Sequence, residues 1–223
     1  RAIIVRSPVV LEQIAGCRTA ILDKTGTLTY GEPVLTEQLN APGFVQRDVL
    51  TLVASLERYS KHPLGRAVLA AAATEGLQLP ESTEVSEEPG QGLRGTVSGH
   101  RVQITSRGQL VAQALARVEH IPLAGDGLEC VVAIDGRYAA TLRFHDAPRA
   151  ESRAFVQHLG PKHRFQRVMI VSGDRLSEVR YLAAQVGITE IHAETNPEEK
   201  LDIVRAETAA AKTLFVGDGI NDA

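Results

Sequence analysis

The run Asp23-Lys24-Thr25-Gly26-Thr27-Leu28-Thr29 places a carboxylate, a fixed cation, three hydroxyls and a glycine within one short segment. It follows Thr19-Ala20-Ile21-Leu22, an apolar stretch of strand length with β-branched residues that stops at a polar turn. Asp23 is therefore expected at the carboxyl end of a buried strand, where open α/β sheets place their ligands. A carboxylate so placed can act as a nucleophile, and an anionic nucleophile attacking phosphate needs its repulsion offset. Lys24 or a metal ion can do that. Hydroxyls and backbone N–H groups around Gly26 can hold phosphate oxygens. A polar strand-to-loop turn without chemistry is the alternative, and the partners further along the chain weigh against it.

Two more polar motifs close apolar runs. Ser172-Gly173-Asp174 follows Val168-Met169-Ile170-Val171, and Gly217-Asp218-Gly219-Ile220-Asn221-Asp222 follows Thr213-Leu214-Phe215-Val216. If these runs and 19–22 are parallel strands, their carboxyl ends meet at one edge. That edge would gather Asp23, Ser172, Asp174, Asp218, Asn221 and Asp222. Oxygen donors clustered this way suit Mg²⁺, which would reduce the repulsion between Asp23 and an incoming phosphate.

The elements that must position these residues follow from periodicity. From Asp146 onward, helices expected over 151–159, 176–186 and 198–211 alternate with strands over 168–171, 190–193 and 213–216. Such alternation implies a parallel, doubly wound sheet, and 19–22 suits the same sheet. The intervening chain differs. Residues 48–73 read as two helices. Short β-branched runs between Ser82 and Tyr138, with Asp135-Gly136 as a two-residue hairpin signal, indicate an antiparallel α+β layer. The expected fold is α/β, with a split parallel-sheet domain and an inserted α+β antiparallel-sheet domain. The expected divisions are 1–31 (linker and first part of the split domain), 32–142 (insert) and 143–223 (second part).

Composition narrows the function classes. The chain has 223 residues, 43% hydrophobic and 23% charged, with a net charge of -3. That is ample for a core and offers no basic excess for nucleic acid. No apolar stretch approaches the roughly 18 residues that cross a bilayer. Cys17 and Cys130 form no metal-ligand spacing and are expected as packed thiols.

The Asp23 motif resembles, residue for residue, the phosphorylation motif of the P-type ATPases, a branch of the haloacid dehalogenase-like fold. The resemblance covers nearly the whole chain. It implies that Asp23 becomes an aspartyl-phosphate with ATP as donor and Mg²⁺ as cofactor. Lys24, Thr25, Thr27, Ser172, Gly173 and Asp174 would belong to the catalytic site, and Asp23, Thr25, Asp218 and Asp222 would hold the metal. Asn196-Pro197-Glu198-Glu199-Lys200 matches the family's P-x-x-K pattern and implies that Lys200 holds the phosphate and steadies the nucleophile. Asp146-Ala147-Pro148-Arg149 resembles the segment where the chain re-enters the phosphorylation domain. That implies a role for Asp146 and Arg149 near the nucleotide, although a helix N-cap and a surface charge fit them equally.

Within the insert, Ser60-Lys61-His62-Pro63-Leu64-Gly65 resembles the His-Pro motif of the heavy-metal branch, the CPx-type ATPases. This implies that His62, with Pro63, contacts adenine, that Glu57 lies beside the nucleotide, and that Gly90 and Gly92 let it approach the backbone. By itself, His62 would be read as a cap or loop residue. Two departures stand out. Thr105-Ser106-Arg107 replaces the Gly-Asn-Arg usual in copper transporters, and Ser172 replaces a Thr. Thr25 stands where stand-alone phosphatases of this fold carry a second Asp as general acid/base, so the phosphoenzyme is expected to persist. The resemblance further implies a longer protein with membrane helices that carry a heavy-metal cation, and an actuator domain that assists dephosphorylation. This region would be its cytoplasmic part, with the insert swinging ATP toward Asp23 about hinges near 30–33 and 141–146. A soluble phosphatase of the same fold is the alternative, and a non-catalytic ATP-sensing or partner-binding module is a third possibility.

Overall fold

In a computed structural model, residues 8–113, 121–125 and 127–217 are described. The chain divides into two compact units, Arg1–Glu32 with Asp146–Ala223, and Pro33–His145. The first unit opens with helix α1 (Pro8–Ala15), strand β1 (Thr19–Leu22) and the start of β2 (Thr29–Asn40), which leads into the second unit. There follow α2 (Gln46–Glu57), α3 (Pro63–Thr74), β3 (Ser82–Glu88), β4 (Gly92–Val97), β5 (His100–Thr105), α4 (Arg107–Ala112), β6 (Leu128–Ile134) and β7 (Arg137–Pro148). The end of β7 returns the chain to the first unit. That unit is completed by α5 (Ser152–His163), β8 (Arg167–Val171), α6 (Leu176–Val186), β9 (Glu190–His192), α7 (Pro197–Ala210) and β10 (Thr213–Val216).

The first unit is built on a parallel four-stranded sheet in the order β10-β1-β8-β9. Its central strand β1 is buried along its whole length, which is why it reads as a continuous apolar run rather than an alternating one. Successive side chains nevertheless serve different layers. Ala20 and Leu22 pack with Val156 and Leu159 of α5 and with Val179 and Leu182 of α6. Ile21 packs on the opposite side with Ile203 and Val204 of α7. Helix α7 starts on a capping box, in which Asn196 and Glu199 satisfy each other's backbone N–H groups, with Pro197 just inside the helix. This fixes the first turn that carries Lys200.

The second unit holds a six-stranded sheet in the order β2-β7-β6-β5-β4-β3, antiparallel from β3 through β7. Alternation along β6 separates its faces. Val132 and Ile134 join the core under α2 and α3, while Val131 and Ala133 pack with Leu110 of α4 and Ile121. The Asp135-Gly136 turn has positive φ at both residues, 50° and 73°, as a two-residue hairpin turn of the primed type requires. Two elements have no counterpart in the sequence reading, namely β2, which carries Gly31 and Pro33, and the short helix α4. Among the described residues, no helix is long and apolar enough to cross a membrane.

Candidate functional site

Asp23 leaves the carboxyl end of β1, held by its own N–H donating to the Val216 carbonyl of β10 at 2.9 Å. Asp23 is only 8% exposed. Lys200 Nζ approaches Asp23 Oδ1 to 2.7 Å, bringing the first turn of α7 against the end of β1. The chain then makes one wide turn over Lys24–Leu28, in which Gly26 takes φ +74° while Thr25 stays extended. A positive φ is costly for residues with a Cβ, so Gly26 sets the shape of the turn. Leu28 anchors the far end in the core at 2% exposure. Within this turn Thr27 Oγ1 is buried and has no hydrogen-bond partner among the described residues. A buried hydroxyl without a partner is costly, and a phosphate oxygen would satisfy it.

The turn is braced from beneath. Lys24 is buried between two carboxylates, its Nζ 3.0 Å from Asp174 Oδ2 and 3.3 Å from Asp146 Oδ2. Burial acts to lower the Lys24 ammonium, but Asp174 and Asp146 outweigh it and hold the group above its ordinary value. Burial likewise acts to raise Asp174. The hydrogen bond and charge of Lys24, with Ser172 and Thr25, outweigh that and keep its carboxyl below the ordinary range. Thr25 Oγ1 and Ser172 Oγ donate to Asp174 Oδ2 at 3.2 and 3.0 Å. Thr29 Oγ1 donates to Asp146 Oδ2 at 2.7 Å. Arg149 donates to the carbonyls of Gly26 and Thr29, at 2.8 and 3.1 Å, and lies over the Tyr30 ring. A Cβ on Gly173 would stand 3.2 Å from the Thr195 carbonyl, so this glycine lets the two strand-end loops approach.

Asp146 and Arg149 thus have neither of the simple roles their sequence allows. Asp146 lies in the last residues of β7, the N-cap position of α5 is Glu151, and the Asp146 and Arg149 side chains hold the Asp23 turn. Asp218, Asn221 and Asp222 lie outside the described residues. Among those described, no group of three or more His, Cys, Asp or Glu side chains converges as a metal would need.

In the second unit, a cavity of about 240 Å³ lies where α2 ends and α3 begins, against β4, β5 and β6. Glu57, His62 and Gly92 line it, as do Glu87, Glu129 and Cys130. His62 caps α3, its Nδ1 accepting the Leu64 N–H at 3.2 Å, with Pro63 in the first helical position. The ring's proton is therefore on Nε2, which remains a donor. Gly92 has φ +81°, and a Cβ there would lie 2.2 Å from the Ile104 carbonyl, so any side chain would collide with β5 itself. Gly90 is an exposed turn residue with open space around it and does not line the cavity. Thr105 and Ser106 line it, and Ser106 also caps α4. Arg107 makes a paired contact with Glu129.

Glu57 is the last residue of α2, 5% exposed, and its Oε2 has no hydrogen-bond partner among the described residues. Burial, then the nearby Glu87 charge, push its carboxyl up to about 7, against a hydrogen bond from Ser60. Burial also pushes the Cys130 thiol up, consistent with an inert packed thiol. Glu87 and Glu129 escaped the sequence reading because nothing in their spacing marks them, and Cys130 was expected as a packed thiol and not as part of a cavity. Only the antiparallel sheet brings β3 and β6 to the end of α2.

A family model described as a haloacid dehalogenase-like hydrolase matches residues 17–223. The copper-transporting ATPase 1 of Rhizobium meliloti (strain 1021) is 36% identical over 228 residues, which cover 99% of this chain and 27% of that protein. The chain therefore spans about a quarter of the length of that relative. The crystal structure of a zinc-transporting PIB-type ATPase in its E2.Pi state superposes with a TM-score of 0.80 at 31% identity, covering 95% of this chain and 35% of that one. The catalytic domain of the CPx-ATPase CopB-B, described for its conformational changes upon nucleotide binding, superposes with a TM-score of 0.65 at 28% identity. That match covers 99% of this chain and 80% of the other. The chain belongs to the haloacid dehalogenase-like hydrolase family, and within it is similar to the catalytic region of heavy-metal-transporting P-type ATPases.

Proposed function

We propose that this chain is the ATP-binding, autophosphorylating region of a heavy-metal-transporting P-type ATPase, with Asp23 as the phosphoryl acceptor. The observation that carries this is the Asp23 carboxylate at the end of the central strand, 2.7 Å from Lys200 Nζ. A carboxylate oxygen of Asp23 forms a bond to the γ-phosphorus of ATP as the bond to the bridging oxygen breaks, and ADP departs. Lys200 offsets the charge of the approaching anions, while Thr27 Oγ1 and Ser172 Oγ donate to the transferred oxygens. Asp23, Thr25, Asp218 and Asp222 would hold Mg²⁺, which supplies further charge neutralisation there. The donor set fits: hard oxygens, with one buried carboxylate contributed by the described residues.

Thr25 donates to Asp174 and cannot serve as a general base at neutral pH, so the acyl phosphate should turn over slowly. Its hydrolysis would await an actuator domain of the complete protein. ATP would enter through the cavity of the second unit, with Glu57, His62 and Gly92 lining it; Pro63 follows His62, and Gly90 stands in the exposed turn before β4 and outside the lining. This region would lie on the cytoplasmic side of a membrane protein, and the ion moved would be a heavy-metal cation.

The test uses the complete protein that carries this region. γ-Labelled ATP should leave an acid-stable, hydroxylamine-sensitive label that Asp23→Asn abolishes. Label persisting in that variant would place the acceptor elsewhere. Lys200→Ala should slow labelling on the order of a hundredfold, the scale of one lost charge-stabilising donor.

A further inference from the structure

Helix α5 carries two imidazoles that meet at its end. His158 and His163 are both exposed, and their ring centres lie 4.7 Å apart with the planes tilted by 50°. Neither ring has a hydrogen bond or an ion pair among the described residues. Other histidines are engaged or enclosed. His62 Nδ1 accepts the Leu64 N–H, His100 pairs with Asp135, and His145 is buried. On a regular helix, side chains five positions apart diverge by about 140° around the axis. Here Pro161 lies in the last turn and has no N–H to donate, which releases that turn from regular geometry. Arg164, in the left-handed conformation, then ends the helix.

The spacing is that of two rings sharing one metal ion. With a metal–nitrogen bond of about 2.05 Å and about 1.1 Å from ring nitrogen to ring centre, bond angles of about 90° to 109° put the two centres roughly 4.5–5.1 Å apart. Parallel stacked rings share no in-plane point at which a metal could sit, whereas planes tilted by 50° do. The last carbonyls of α5 add a favourable potential for a cation. Arg164, next to His163, is a like charge that weakens binding without occupying a ring nitrogen. No third His, Cys, Asp or Glu joins the pair among the described residues, so water would complete the shell and the ion would exchange. Two neutral imidazoles suit copper, nickel or zinc, and not the hard Mg²⁺ expected at Asp23.

We propose that His158 and His163 chelate one divalent transition-metal cation of the copper, nickel or zinc class at the surface of α5. The site is distinct from the edge where phosphoryl transfer is placed. Helix α5 leads into the amino end of β8, where the Gln166 N–H donates to the Arg18 carbonyl just ahead of β1. Asp23 and Ser172 lie past the carboxyl ends of β1 and β8, at the opposite edge of the same sheet. A strand of that length separates the two edges by roughly 15 Å. The pair therefore puts a cation of the class that the proposed pump would move on the unit that carries Asp23, away from its chemistry.

The test is titration of the 223-residue chain with Zn²⁺, the histidine ring signals being followed by NMR. The signals of His158 and His163 should shift together and saturate with a single ion on the pair. Cu²⁺ should displace Zn²⁺, and a large excess of Mg²⁺ should not. His158→Ala and His163→Ala should each weaken binding at the remaining ring by about tenfold or more, because the chelate is lost. Both side chains are exposed, so the variants should fold, which an unchanged backbone amide spectrum would show. His158→Gln and His163→Gln replace any alanine variant that does not. Full affinity in either single variant would overturn the proposal. So would separate ions on the two rings, or Zn²⁺ shifts confined to other histidines. If neither ring responded to any of these ions, the pair would be a contact between two rings and nothing more, and the proposal would fall.

Discussion

At the scale of single residues, the two sites solve opposite problems of charge. Asp23 is a buried carboxylate with the Lys200 ammonium 2.7 Å away. Glu57 is a buried acid with no such partner among the residues lining its cavity. Its folded titration, at about 7, lies above the ordinary 4.5. The folded state therefore holds a proton there that the unfolded state has released, and stability falls as pH rises from about 4.5 to about 7. Glu57→Gln removes that penalty. Thermal or denaturant unfolding should find it more stable than the parent by up to about 3 kcal/mol at pH 8. The difference should vanish near pH 4, where Glu57 is protonated in both states. An equal gain at both pH values would mean that packing, not ionisation, sets the effect.

At the scale of elements, much of the first unit was legible because its strands are buried on both faces and its helices start and stop on strong signals. Asn196, Pro197 and Glu199 mark the start of α7, and Gly187, at φ +85°, closes α6. Strand β2 was not legible. Its residues are largely exposed, and Gly31 and Pro33 are breakers elsewhere but tolerable on a strand at the sheet edge. The Asp23 turn was legible as a motif but not as a mechanism of support. Sequence spacing cannot show that Lys24 is held between Asp146 and Asp174, residues 122 and 150 positions away, because only the fold brings β7 and the end of β8 beneath it. Lys24→Met should leave those two carboxylates uncompensated and destabilise the first unit by about 3 kcal/mol, the lower end of the range for breaking a buried pair, since Asp174 is part-exposed. The loss should shrink in acid, as Asp174 becomes protonated below its lowered folded value and the parent loses the same interaction. A loss unchanged down to about pH 2 would show that Lys24 acts by packing alone.

At the scale of the whole molecule, the buried clusters fall on one side or the other of the chain's division. Those built on β1 and β8 belong to the first unit, and those built on β4–β7 with α2, α3 and α4 belong to the second. Each unit has its own helix-covered sheet, and domain cores that share no cluster commonly unfold separately. A single two-state unfolding free energy is then not defined for the chain. Calorimetry should resolve two transitions, and the variants above assign them. Lys24→Met should lower one transition and leave the other in place, while Glu57→Gln at pH 8 should raise the second and leave the first. At a per-domain scale of a few degrees per kcal/mol, shifts of about 10 °C are expected. Movement of both transitions by either substitution would show that the units unfold as one cooperative body.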